Sequence, residues 1–407
     1  MTDVAAKVQA PAYVGTATPA PRVGERIESL DFVRGVVMIL MAIDHVRVYA
    51  GVPAGGPTPG VFFTRWITHF VAPGFVFLAG TAAYLHGRKL NDRSALSTFL
   101  ITRGLWLVLL ELTVIRVSWT FNFDFASYML AGVIWMLGWC MALLGAAVYL
   151  PLRAIGAIGV GLVVFSRVLA SGIGALGSFG DNPPWLLKFL FYGGEVRLGA
   201  GGPPLLILYV IVPWIGVMMA GYAFGAVMEL SSARRTRLCI QLGVALVAAF
   251  LLLRGLDVGD QRAWRGTDNA APALLRFLGT SKYPASLDFL LMTVGPLLVL
   301  LGLAERWRGS AARVATTFGR VPFFYYLLHI PVIHAAACIV SLIREGQVNP
   351  WLFGNHPVAP PEVPPGYRWS LALLYLVFAI CVVALYFPCR WFASMRATRK
   401  SRWLSYL

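Results

Sequence analysis

The chain has 407 residues, 58% of them hydrophobic and only 13% charged, with a mean hydropathy of +0.72. Soluble domains carry about a quarter charged residues, so this composition excludes a soluble globular protein and predicts an integral membrane protein with many spans. The net charge of +16 does not point to nucleic acid, because the basic residues fall in short loops between apolar runs, where topology requires them.

Residues 1–25 are rich in Ala, Pro, Thr and Val and lack an unbroken apolar run. They read as a disordered cytoplasmic tail and not as a signal peptide. A span needs about 20 mostly apolar residues, and about ten segments meet that requirement. They lie near 30–50, 66–86, 98–119, 128–150, 153–172, 204–229, 237–255, 284–304, 318–343 and 369–391. The expected fold is all-α, a polytopic membrane helix bundle of about ten transmembrane helices. One domain covers 26–395, followed by a basic cytoplasmic tail at 396–407. No internal repeat is visible, so an inverted-repeat transporter has no support here. The basic loops (Arg88, Lys89 and Arg93; Arg153; Arg234, Arg235 and Arg237; Arg306, Arg308 and Arg313; Arg390 onward) fall on alternate ends of the spans. The positive-inside rule makes that side cytoplasmic, with both termini inside. The longer loops 51–65, 173–203, 256–283 and 344–368 then face outward. The five cysteines lie in or beside apolar segments without CxxC spacing and read as small buried residues. No metal is expected.

The first span, "LDFVRGVVMILMAIDHVRVYAG", carries Asp31, Arg34, Asp44, His45 and Arg47. His45 lies eleven residues past Arg34, roughly 16 Å along a helix, in a hydrocarbon core about 30 Å thick. Arg34, Met38, Met41 and His45 share one helix face. Ionisable groups in a membrane are costly and face a bundle interior or a wet cavity. His69 opens the second span, Glu111 and Arg116 sit in the third, and Asp288 enters the eighth. "FGRVPFFYYLLHIPVIHA" carries Arg320, His329 and His334. Histidines and acids thus gather in the outer half, and Arg34, Arg103 and Arg320 in the inner third.

Structural roles compete with functional ones. His45 could bond a neighbouring helix, and His69 could be an interfacial residue. His329 could satisfy a carbonyl freed by Pro331. Glu111 and Arg116 could form one ion pair or two separate contacts. Arg34 and Arg320 could snorkel to the interface. His334 reads as structural, and His86 and His356 as loop residues.

An arginine-lined inner vestibule suits a phosphate-bearing ligand, and a mid-membrane histidine suits a general base. The combined reading is transfer of an acyl group from cytoplasmic acyl-CoA to an extracytoplasmic sugar or glycan. In it His45 is the base, oriented by Asp44 or Glu111, with His69 a second candidate. Arg34, Arg103 and Arg320 contact CoA phosphates, and Arg47, Arg116, Lys282 and His329 contact substrate. The partners are the lipid bilayer, acyl-CoA, the acceptor and a second copy in a homodimer. The other readings are a transporter or flippase of a small anionic or lipid-linked solute, and a non-catalytic scaffold.

"RIESLDFVRGVVMILMAIDHVR", "HFVAPGFVFLAGTAAYL", "FGRVPFFYYLLHIPVIHA" and the 281–296 stretch "SKYPASL…LLMTVGP" resemble bacterial membrane proteins grouped with the heparan-alpha-glucosaminide N-acetyltransferase catalytic domain. The resemblance runs from about residue 25 onward. "LDxxRG" alone is shared with the wider transmembrane acyltransferases. The resemblance implies a multi-span transferase using acetyl-CoA, with a histidine at the chemistry, in the bacterial inner (plasma) membrane. Three departures stand out. The lysosomal enzyme has an asparagine where His45 stands, and its reactive histidine lies between the first two spans, where 51–65 has none. The wider acyltransferases place a histidine late in the first span, as here. Asp288 stands where relatives carry an apolar residue.

Overall fold

The computed structural model describes residues 26–399 except 57, 178, 180–181, 198, 200, 266–270 and 359–360. The tail expected at 1–25 and residues 400–407 of the tail expected at 396–407 lie outside the described residues. The main helices are α1 (Glu28–Tyr49), α2 (Pro59–Leu90), α3 (Arg93–Thr120), α4 (Val133–Ala147), α5 (Leu152–Gly177) and α6 (Val212–Glu229), then α7 (Ser232–Gly255), α8 (Leu287–Ala304), α9 (Ser310–Arg320), α10 (Pro322–Glu345) and α11 (Leu371–Thr398). Eight of them are long and apolar enough to cross a membrane: α2, α3, α5, α6, α7, α8, α10 and α11. Among the other expected spans, α1 carries five charged side chains in its 22 residues, and α4 has only 15 residues. Exposed apolar side chains such as Leu109, Phe165, Leu252, Ile343 and Phe387 present the surface that hydrocarbon requires.

Three boundaries differ from the expected ones for local reasons. The second helix begins inside the expected loop 51–65, because Thr58 accepts from the Val61 amide and Pro59 opens the first turn. The expected 318–343 span is two helices, broken at Val321, whose φ of −132° and ψ of 50° leave the helical region before Pro322 starts the next. The expected 204–229 span begins as strand. A three-stranded sheet joins β1 (Met129–Ala131), β2 (Gly194–Arg197) and β3 (Pro204–Ile207), with β3 central, parallel to β1 and antiparallel to β2. It is a small addition to a helical bundle, lying among the connecting segments.

The end of the bundle where α1 begins is called the near end here, and the opposite end the far end. At the near end the Glu305 carboxylate after α8 accepts from Ser29 of α1 and from Ser232 and Arg235 of α7. This joins the start of α1 to the basic segments that open α7 and follow α8. Close backbone contact sets the mouth there. A Cβ on Gly35 of α1 would stand 1.7 Å from the Ala315 carbonyl oxygen of α9, and one on Gly319 would stand 1.7 Å from that of Asp31. Only glycine permits this approach, and it brings Arg34 and Arg320 to the same opening.

Candidate functional site

The centre is a pair of histidines on α1 and α10. His45 Nδ1 lies 2.7 Å from His329 Nε2, and His329 Nδ1 lies 2.6 Å from the Tyr326 carbonyl oxygen. The carbonyl can only accept, so His329 Nδ1 carries the proton. A neutral imidazole has one N–H, so His329 Nε2 must accept and His45 Nδ1 must donate. The lone pair of His45 is thereby left on Nε2. Packing holds both rings. His329 is fully buried and stacks on Tyr325 with centroids 5.5 Å apart, while His45 packs edge-on against Trp119 at 5.0 Å. The pairing could not be read from spacing, since 284 residues separate the two.

A cavity of about 710 Å³ opens at the near end. Arg26, Arg34, Arg103, Arg320 and Arg396 line it, together with apolar side chains including Met38, Phe75, Leu107 and Phe323. Tyr326, whose carbonyl anchors His329, is among the lining residues. The three arginines expected to bind phosphates thus share one cavity, and structure adds Arg26 and Arg396. Arg396 stood in the segment read as a basic tail, and Arg26 at the first residue of the expected domain. Arg34 donates to Asp31 at 3.2 Å and to the Gly319 carbonyl at 3.3 Å. Arg103 lies over the rings of Phe99 and Phe323 at 5.8 and 5.9 Å. Arg320 approaches Glu28 at 3.8 Å. The volume falls in the range of small-molecule sites, and the mixture of arginine and apolar wall suits a long anionic ligand.

Beyond the dyad, Asp44 accepts from Arg47 at 2.9 Å and from Arg65 at 3.0 Å. Neither Asp44 nor Glu111, the residues expected to orient His45, is hydrogen-bonded to it; its ring partner is His329. Arg47 also donates to the Val52 carbonyl at 2.7 Å, and Arg65 to Thr68 Oγ1 at 2.9 Å. Arg65 escaped the sequence reading because its segment was taken as loop; the Thr58-Pro59 start was the available signal. Lys282, in the segment before α8, lies over Tyr209 and Tyr283 at 5.7 and 5.2 Å. Burial pushes its ammonium below the usual lysine range. His69 packs edge-on against Phe289, and its buried Nδ1 has no hydrogen-bond partner among the described residues.

Two expected site residues do structural work. The Glu111 carboxylate accepts from the Ile134 and Trp135 amides at 2.9 and 3.2 Å, which caps the start of α4 from a neighbouring helix. Glu111 also begins a π-helical turn over Glu111–Ile115, so Arg116 leaves on its own course. The fully buried Arg116 guanidinium is held by the Tyr128, Asn122 and Asp124 carbonyls and the Thr120, Asn122 and Ser127 side chains. It braces the 121–128 segment, and no donor is spare for a substrate. Glu111 and Arg116 therefore make two separate contacts. His334 bonds the Ser118 carbonyl at 3.3 Å and stacks on Phe121 at 3.9 Å.

Residues 26–255 match the family model described as heparan-alpha-glucosaminide N-acetyltransferase, catalytic. No individual curated relative matches the chain significantly. The matched span holds α1 to α7, hence His45, its arginine-paired neighbour Asp44, and two of the cavity's expected arginines. With a helical bundle suited to lipid and more than half its length matched, the chain belongs to the heparan-alpha-glucosaminide N-acetyltransferase catalytic-domain family, a family of membrane acetyltransferases.

Proposed function

We propose that this protein is an acyltransferase that moves an acetyl group from acetyl-CoA to an extracytoplasmic sugar or glycan, with His45 as general base. The near end is then cytoplasmic, in a plasma membrane. One arrangement carries the reading: an arginine-lined cavity opens at the near end, and the residue at its wall, Tyr326, holds the histidine pair through its carbonyl.

In this reading Arg34, Arg103 and Arg320 bind the CoA phosphates, and the apolar wall takes the arm that carries the thioester. The acceptor approaches from the far side. Its hydroxyl or amine gives a proton to His45 Nε2 as its heteroatom forms a bond to the acetyl carbonyl carbon. The carbon–sulfur bond then breaks, and the imidazolium returns the proton to the leaving thiolate. His329 fixes the tautomer that leaves Nε2 free, in the way a second group orients the base of a catalytic triad.

The test is acetyl-CoA binding to purified protein by thermal shift, followed by transfer of labelled acetyl to glucosamine. A ligand at a hundredfold excess over its dissociation constant should add roughly 2.7 kcal/mol to native stability. Arg34→Ala should weaken that shift. His45→Ala should keep binding and lose about a hundredfold or more in transfer, with His329→Ala losing about tenfold. Full transfer in His45→Ala would overturn the mechanism, and no shift at millimolar acetyl-CoA would overturn the donor.

A further inference from the structure

A second cavity of about 380 Å³ lies at the near end, among the ends of α2 and α4, the starts of α3 and α5, and α6. It shares no lining residue with the arginine cavity described above. Its polar side carries Arg88, Asn91, Asp92, Arg93, Tyr84 and Tyr222, and its apolar side Leu96, Val148, Leu150, Leu152 and Ile155.

The two arginines are differently placed. Arg88 donates to Glu229 at 2.7 Å, and Tyr84 donates to the other oxygen of that carboxylate at 3.0 Å. Arg93 donates to the Tyr149 carbonyl at 2.9 Å, and among the described residues no carboxylate lies within 4.0 Å of it. The Asp92 carboxylate also lines the cavity, with its Oδ1 accepting from the Ser94 and Ala95 amides to cap α3. Tyr222 is buried, packs edge-on against Tyr84 at 5.6 Å, and makes no hydrogen bond with the described residues. Arg93 thus brings a positive charge that no carboxylate among the described residues pairs within 4.0 Å, and Tyr222 a spare hydroxyl, to a cavity whose other wall is aliphatic. The position is where helices of a lipid-facing bundle end.

We propose that this cavity binds an anionic glycerophospholipid of the near-end leaflet. Its phosphodiester would sit against Arg93, Tyr222 and Asn91, and the start of its acyl chains along Leu96, Leu152 and Ile155. Charge on one wall and hydrocarbon on the other match an amphiphile better than a soluble anion. Basic pockets at helix ends recognise such head groups, and a charge-assisted guanidinium–phosphate contact supplies the selectivity.

The experiment titrates purified full-length protein in detergent with phosphatidylglycerol, phosphatidylcholine or inorganic phosphate, reading bound ligand by native mass spectrometry. Phosphatidylglycerol should bind about fivefold more tightly than phosphatidylcholine. Arg93→Gln should abolish that preference, while Arg93→Lys and the cytoplasm-side control Arg153→Gln should keep it. The lysine variant separates loss of charge from loss of fold. Equal binding of the two lipids would overturn the proposal. So would a preference that survives Arg93→Gln but disappears in Arg34→Ala, which would belong to the other cavity. Inorganic phosphate binding as tightly as phosphatidylglycerol would mark a soluble-anion site and also overturn it.

Discussion

Which nitrogen of His45 is free to take a proton is decided two hydrogen bonds away, at the carbonyl of Tyr326. That constraint passes through His329, whose ring is clamped between His45 and Tyr325 with centroids 4.8 and 5.5 Å away. His356 shows a different use of the same side chain. It lies in the 344–368 connection, stacked on Tyr128 at 3.9 Å, and the Arg116 guanidinium lies over Tyr128 at 4.4 Å. Burial first, and the positive Arg116 second, hold its imidazole down to about 4. In the unfolded chain a histidine titrates near 6.5. The folded state therefore favours the neutral ring. Its contribution is complete above about pH 6.5 and is lost as pH falls through about 4. Melting temperatures measured from pH 7 to 4 should fall more steeply for wild type than for His356→Phe, which keeps the stacking area but cannot charge. Parallel curves would show that His356 does not titrate in this window.

At the scale of elements, the α1–α9 contact sets the mouth of the arginine cavity. Its cause is two glycines that let backbone meet backbone, at Gly35 against Ala315 and at Gly319 against Asp31. A methyl group at Gly35 would need the helices to part, since its obstacle is a carbonyl oxygen and not a flexible side-chain tip. Gly35→Ala should destabilise the protein by about 3 kcal/mol or more, beyond the ordinary range for overpacking. Thermal unfolding in detergent measures it, and acetyl-CoA binding should weaken in the same variant because Arg34 and Arg320 separate. Wild-type stability in this variant would show that the contact yields. The π turn at Glu111–Ile115 is the other element-scale device. It divides α3 so that Glu111 serves the start of α4 and Arg116 serves the segment beyond Thr120.

For the molecule as a whole, charge is distributed unevenly. The net charge is +16, and five arginines surround one cavity whose paired acids are Asp31 and Glu28. An excess of positive charge at one opening attracts an anionic ligand over distance, and salt screens that attraction with a Debye length of about 10 Å at 0.1 M. Acetyl-CoA binding should therefore weaken about tenfold between 50 and 500 mM salt. Isothermal titration at several salt concentrations checks this. A salt-independent affinity would mean that the arginines serve the fold and not the ligand.

Much of the architecture was legible in the chain, because a bilayer imposes long apolar runs and places basic residues at their ends. The helices, the basic end and the three arginines of the expected vestibule follow from those two constraints. The cost of charge in hydrocarbon also pointed to Asp44, His45, Glu111 and Arg116 as residues with work to do. What that work is depended on partners distant in sequence. His45 meets His329, Asp44 meets Arg65, and Glu111 meets the start of α4. A hydrogen bond is satisfied by whichever group the packed helices bring within about 3 Å. Hydropathy and spacing along one helix reveal which side chains must find a partner, and only the crossing of the helices decides which partner each one finds.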